Sequence, residues 1–263
     1  MMTANKPIAI GRHVLGLGVM ALGALSLAWR DFVNGQSVPD HLAYRADLAC
    51  LAGAFMLISG ALIQFRRTTP GGAIAIAAYF TVVVMVVMDG AELLSQWTVY
   101  GEYENAAEQI ALASGGLIVF AVHADIDPVL AARLKRLGEI CFAVCALIFG
   151  GAHFVYMNLT APLVPKWLPF SGEFWGYATG LCHMAAGVAI LTGIRARLAA
   201  ILLSVMYASF QPLVHIPMLL HDPANHFLWV ENATNLALTG VAWVVADGLR
   251  KMAHDEKAVE GSG

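Results

Sequence analysis

Charge is scarce in this chain: Asp, Glu, Lys and Arg make up 13% of its 263 residues, against 59% hydrophobic ones. That balance falls well outside the range of soluble domains and fits a polytopic membrane protein, so no soluble domain is expected. Cysteine is sparse too. Cys50, Cys141, Cys145 and Cys182 all fall in apolar stretches, and no pair has the CxxC spacing. This excludes a disulfide framework as the basis of the fold. Cys141 and Cys145 share a helix face at i, i+4 and read as small buried apolar residues rather than a redox or metal pair. HExxH and CxxCH are missing, so no spacing supports a zinc or haem site. No metal and no nucleic-acid partner are expected.

What the chain has in abundance is apolar length. Eight stretches, near 11–29, 47–65, 73–90, 106–123, 137–157, 174–192, 198–217 and 231–247, approach the ~20 helical residues that cross a ~30 Å hydrocarbon layer. The expected fold is therefore an all-α membrane protein of eight transmembrane helices. The first stretch also resembles a signal peptide, with Lys6 and Arg12 before it and Ser26-Leu27-Ala28 at its exit. Cleavage there would leave the first half with three helices where the second has four, so it is read as a span.

The chain also repeats itself. Glu104-Asn105-Ala106 returns 127 residues later as Glu231-Asn232-Ala233, and Gly53 and Gly60 return as Gly180 and Gly187. With a one-residue gap, Pro39 falls opposite Pro165. A repeat near half the chain length predicts tandem four-helix units. The boundaries read as 1–123 for the first unit, 124–136 for a cytoplasmic linker, 137–247 for the second unit and 248–263 for a polar tail expected to fray.

Basic residues set the orientation. With both termini inside, the inner side holds Lys6, Arg12, Arg66, Arg67, Arg133, Lys135, Arg136, Arg195, Arg197, Arg250, Lys251 and Lys257. The other side holds Arg30, Arg45 and Lys166. This positive-inside bias places both termini in the cytoplasm and makes the repeats parallel in a multi-pass membrane protein. Trp97, Tyr100, Tyr103, Trp167, Trp175, Phe227 and Trp229 gather near the outer boundary as an aromatic belt.

The histidines in the first half's apolar segments, His13 and His123, lie at the inner ends of those segments, whereas the second half carries a histidine in three of its own. His153, His183 and His215 sit on three of its helices, and Glu231, Asn232 and Asn235 open the fourth. One polar position per helix is how bundle-core sites are assembled, and ionisable groups at membrane depth need a partner or a cavity. The expected polar site is His153, His183, His215, Glu231 and Asn235, with His215 paired to Glu231 for a proton-relay or quinone-adjacent role. The competing reading has the histidines capping helix ends, bonding to carbonyls freed near Pro212 and Pro217, or facing interfacial water. Because Glu104-Asn105 and Glu231-Asn232 occur in both halves, Glu104, Asn105 and Asn232 are expected to cap the fourth helix of each unit. For Glu231, capping and site roles stay open. Asp89 and Glu108 are the first-half carboxylates expected to point inward, and the paired glycines are expected to let helices pack closely.

Pro165, Gly180, Gly187, Gly193-Ile194-Arg195-Ala196-Arg197 and Leu198-Ala199-Ala200 resemble the DoxX/DoxD-like integral membrane protein superfamily. The likeness covers 137–247 well and 11–123 weakly. It implies a four-helix unit associated with membrane redox chemistry, since relatives include the small subunit of a thiosulfate:quinone oxidoreductase. The second helix of that unit often has a carboxylate where this chain has His183. The expected function is support of a redox process in the bacterial inner membrane, with the cofactor left open and quinone as its candidate, and with a soluble or membrane redox protein as candidate partner alongside the lipid bilayer. The alternative is a non-enzymatic transporter, cargo-binding or assembly protein using an outer cavity between the units. A metal permease is a third reading.

Overall fold

The computed structural model describes residues 10–260, with side chains through Leu249. Lys6, expected on the inner side, lies outside the described residues, as do the side chains of Arg250, Lys251 and Lys257. The molecule is all-α. Its long helices are α1 (Ile10–Trp29), α2 (Arg45–Leu62), α3 (Thr69–Met88), α4 (Tyr100–His123), α5 (Pro128–Val155), α6 (Gly172–Thr192), α7 (Ala196–His221) and α8 (His226–Glu260). Among the described residues, α1 to α7 are long and apolar enough to cross a membrane. The polar residues of α8 dilute its hydropathy, yet Val230, Ala237, Val241 and Val245 are fully buried.

The helices start and stop for local reasons. Asp127 accepts a hydrogen bond from Leu130 N at 2.9 Å and Pro128 takes the first helical position, so α5 begins there. The expected linker at 124–136 is thus mostly the first turns of α5. Ser171 caps α6 by accepting from Phe174 N, and Gly193, at φ +80, ends it. α7 widens into π-helical turns over Gln211–His215, where Pro212 removes a backbone donor. α3 is π-helical over Tyr79–Met88. α8 runs on as helix through the region expected to fray, as far as Glu260.

Packing follows the small residues. A Cβ on Gly60 would stand 2.7 Å from Gly16 O, and one on Gly53 would stand 2.8 Å from Gly23 O, so α1 and α2 meet backbone to backbone. On α5 and α6, a Cβ on Gly187 would stand 2.7 Å from Ala143 O, and one on Gly150 would stand 2.8 Å from Gly180 O. The glycines do allow close helix contact. α1 also packs along α8 and α5 along α4, while α3 rests on α4, α7 on α8, and α4 and α8 meet each other.

One end of the bundle carries the short turns at 63–68 and 193–195, and the other carries the long connections at 30–44 and 156–171. At the short-turn end the carboxylate of Glu139, almost fully buried, takes Lys135 at 3.5 Å and Arg136 at 3.3 Å. Arg136 also donates to Ile190 O and Leu191 O, satisfying the open carbonyls of α6. At the long-loop end, segment 30–44 folds inward and buries Phe32, Val33 and Gln36. Arg45, ion-paired with Asp31, lies over the Phe32 ring and braces it. Gly35 has φ +74, and a Cβ there would meet the Gln109 amide, so only glycine fits the turn.

Candidate site: a histidine- and carboxyl-lined cavity

A cavity of about 970 Å³ opens between α5, α6, α7 and α8 and reaches across to α4. Its two ends differ in chemistry. Toward the long loops it is lined by His153, His183, His215, Glu104, Glu108, Glu231 and Asn235. Toward the short turns it continues as an apolar groove between α6 and α7, lined by Ala185, Ala189, Leu198 and Leu202, with Arg195 at its margin.

Helical spacing places the polar groups. Glu104 and Glu108 on α4, Glu231 and Asn235 on α8, and Thr179 and His183 on α6 are each one turn apart, so each pair shares a face. His153 is in the last turn of α5, and its ring centroid lies 5.1 Å from that of His183. Thr179 organises both rings: its carbonyl is 2.8 Å from His183 Nδ1, and its hydroxyl is 3.1 Å from His153 Nδ1. His183 is 2% exposed and is enclosed by Phe149, Tyr207 and Phe210 at ring distances of 6.3, 5.3 and 6.5 Å. Tyr207 is buried, and its hydroxyl has no hydrogen-bond partner among the described residues.

All five expected site residues thus line one cavity. Their internal pairing is different from the expected one. Glu231 Oε1 takes Asn34 Nδ2 at 3.4 Å, and no hydrogen bond joins it to His215. The π-helical turns of α7 end at His215 and set its direction. Asn235 Nδ2 donates to Tyr207 O at 2.9 Å, which locks α8 onto α7. Gln211 Nε2 adds a second tie, to Asn232 O at 3.0 Å.

The capping role expected for Glu104, Asn105 and Asn232 is overturned. α4 begins at Tyr100 after Val99, and α8 begins at His226, so these residues lie in the second turn of their helices, beyond the first N–H groups. Glu104 instead lines the cavity, Asn105 is exposed, and Asn232 serves α7 through its carbonyl. The reason is that the cavity accepts polar side chains inside a helix, whereas the hydropathy pattern treats them as its end. Of the two first-half carboxylates, Glu108 lines the cavity and Asp89 is buried beside Ser37.

Thr179, Tyr207 and Asn34 were not identifiable as site residues beforehand. Thr179 had one signal, its position a turn before His183. Asn34 had none, because it arrives from a connection 197 positions from its partner. A second cavity, of about 750 Å³, lies against α2 and α3 and is lined by Phe32, Pro39, Phe55, Tyr79 and Val83 among others, with no histidine or carboxylate. Among the described residues, no group of three or more His, Cys, Asp and Glu side chains converges as a metal site.

A family model described as a domain of unknown function (DUF8561) matches residues 142–246, a segment that holds His153, His183, His215, Glu231 and Asn235 and leaves out Glu104 and Glu108. No curated protein and no solved structure matches the chain.

Proposed function

We propose that the chain is a DoxX-like protein of the bacterial inner membrane, with eight spans in two parallel four-helix units and both termini cytoplasmic, and that its second unit binds a quinone in support of a redox process. The observation that carries this is the two-ended cavity. Histidines and carboxyls gather at one end and an open apolar groove between α6 and α7 forms the other, which matches a polar ring with a hydrocarbon tail. The aromatic rings around His183 suit a flat head group.

The tandem reading is supported by packing as well as wording. The backbone contacts of Gly16 with Gly60 and Gly23 with Gly53 recur 127 residues on as Ala143 with Gly187 and Gly150 with Gly180. α8 is counted as the eighth span because it packs along α1 and α7 for much of its length.

The test is detergent purification of the full chain, followed by absorbance spectroscopy and quinone analysis of the extract. Saturable binding of a short-chain quinone, or a quinone carried through purification, is the expected result. Absence of both defeats the reading. The second reading, a cargo-binding or transport protein, draws on the reach of the cavity to Glu104 and Glu108 of α4, which places it at the junction of the halves. A retained non-quinone ligand would favour it.

A further inference from the structure

Building on the quinone reading, we infer that the polar end of this cavity prefers the reduced, hydroxyl-bearing hydroquinone to the oxidised dicarbonyl form, with His183 and His153 as its hydrogen-bond acceptors. The hydrogen bonds of Thr179 decide this. A carbonyl oxygen can only accept, so at 2.8 Å from Thr179 O the Nδ1 of His183 carries the hydrogen. In the neutral ring Nε2 is then a lone pair without a hydrogen. The Thr179 hydroxyl lies 2.8 Å from Trp175 O and 3.1 Å from Gly176 O, both acceptors, so its single hydrogen is committed to them. It therefore accepts from His153 Nδ1 at 3.1 Å, and His153 also presents a bare Nε2.

Two neighbouring imidazoles thus offer acceptors, and no protein donor reaches either Nε2 among the described residues. A ligand hydroxyl donates to an imidazole nitrogen and satisfies it. A ligand carbonyl can only accept and leaves the Nε2 lone pairs unmatched in a site where His183 is shielded from solvent. Glu104, Glu108 and Glu231 do not reverse the preference, because a carboxyl accepts or donates according to its protonation and so serves either form. Asn235 Nδ2 is already bound to Tyr207 O. A metal ion would use the same two nitrogens, but among the described residues no third His, Cys, Asp or Glu ligand converges with them.

The experiment measures binding of a short-chain benzoquinone and its chemically reduced hydroquinone to the detergent-purified full chain, anaerobically, by titration calorimetry. The hydroquinone is expected to bind about tenfold tighter or more. His183→Gln replaces a bare acceptor with an amide that can donate, so discrimination should fall to parity or invert. His153→Gln, at the less buried ring, should act the same way and serves if the first variant does not purify as a single species. Equal or tighter binding of the quinone by the unmodified protein overturns the preference and leaves the quinone reading standing. Binding of neither form overturns both. Discrimination unchanged in the folded variants overturns the assignment to these imidazoles.

Discussion

Asp89, the residue that follows α3, shows how a single buried carboxyl couples the fold to pH. Ser37 N donates to its Oδ1 at 2.8 Å, while Oδ2 is buried with no hydrogen-bond partner among the described residues. Burial raises its pKa from 3.8 to about 6, with the Ser37 hydrogen bonds opposing and the charges of Glu102 and Glu92 adding to the rise. The folded value exceeds the unfolded one, so the folded state holds a proton that the unfolded chain has lost between about pH 4 and pH 6. The associated stability is fully present below about pH 4 and is lost as pH rises through about 6. Asp89→Asn keeps an acceptor for Ser37 and removes the titration. Its apparent Tm in detergent should therefore change less between pH 4.5 and 7.5 than that of the unmodified protein, by the equivalent of about 1–3 kcal/mol. Equal pH dependence of the two proteins would count against a buried, proton-holding Asp89. At this scale the histidines and Glu231 were legible in the sequence, because ionisable residues stand out in apolar runs. Thr179, Tyr207 and Asn34 were not, since a threonine or tyrosine near a helix end has many ordinary roles and Asn34 reaches the site only through the path of a connection.

At the scale of the helices, spacing did better than end signals. The glycines at seven-residue intervals on α2 and α6 announced close packing, and each meets a backbone oxygen or a side chain of the neighbouring helix. The start of α4 was misplaced because Glu104 and Asn105 read as a cap, although the helix already begins at Tyr100. Hydropathy could not reveal that a cavity would receive those side chains. The π-helical turns of α3 and α7 leave no periodic trace in so uniformly apolar a stretch either. The packing claim has a direct test in Gly60→Ala. Its new methyl would sit 2.7 Å from Gly16 O and 3.0 Å from Met20 N, and backbone atoms of a packed helix cannot step aside. A loss of about 1–3 kcal/mol is expected, seen as a lower apparent Tm and less monodisperse protein on size exclusion. Gly71→Ala is the matched control, because a Cβ there meets nothing within 4 Å. If both substitutions behaved alike, the α1–α2 contact would not depend on bare backbone.

For the whole molecule, the arrangement of helices bears on how the halves relate. α1 packs on α8 and α5 on α4, so the first helix of each half rests on the fourth helix of the other, and α4 meets α8 between them. Such an exchange places Glu104 and Glu108 of the first half in the cavity of the second. The long connections differ: segment 30–44 buries Phe32, Val33 and Gln36, whereas Trp167 and Phe170 of segment 156–171 stay exposed. The proposed parallel orientation requires the turns bearing Arg67 and Ile194 to face one side of the membrane and the connections bearing Leu42 and Trp167 to face the other. All four positions are exposed, so each tolerates a cysteine in a chain whose four native cysteines have been replaced by alanine. In intact cells a membrane-impermeant maleimide should label Leu42→Cys and Trp167→Cys, and should reach Arg67→Cys and Ile194→Cys only after the membrane is permeabilised. Labelling of Arg67→Cys and Ile194→Cys from opposite sides would make the halves inverted rather than parallel, and the duplicated packing of α1 on α2 and α5 on α6 would then need another origin.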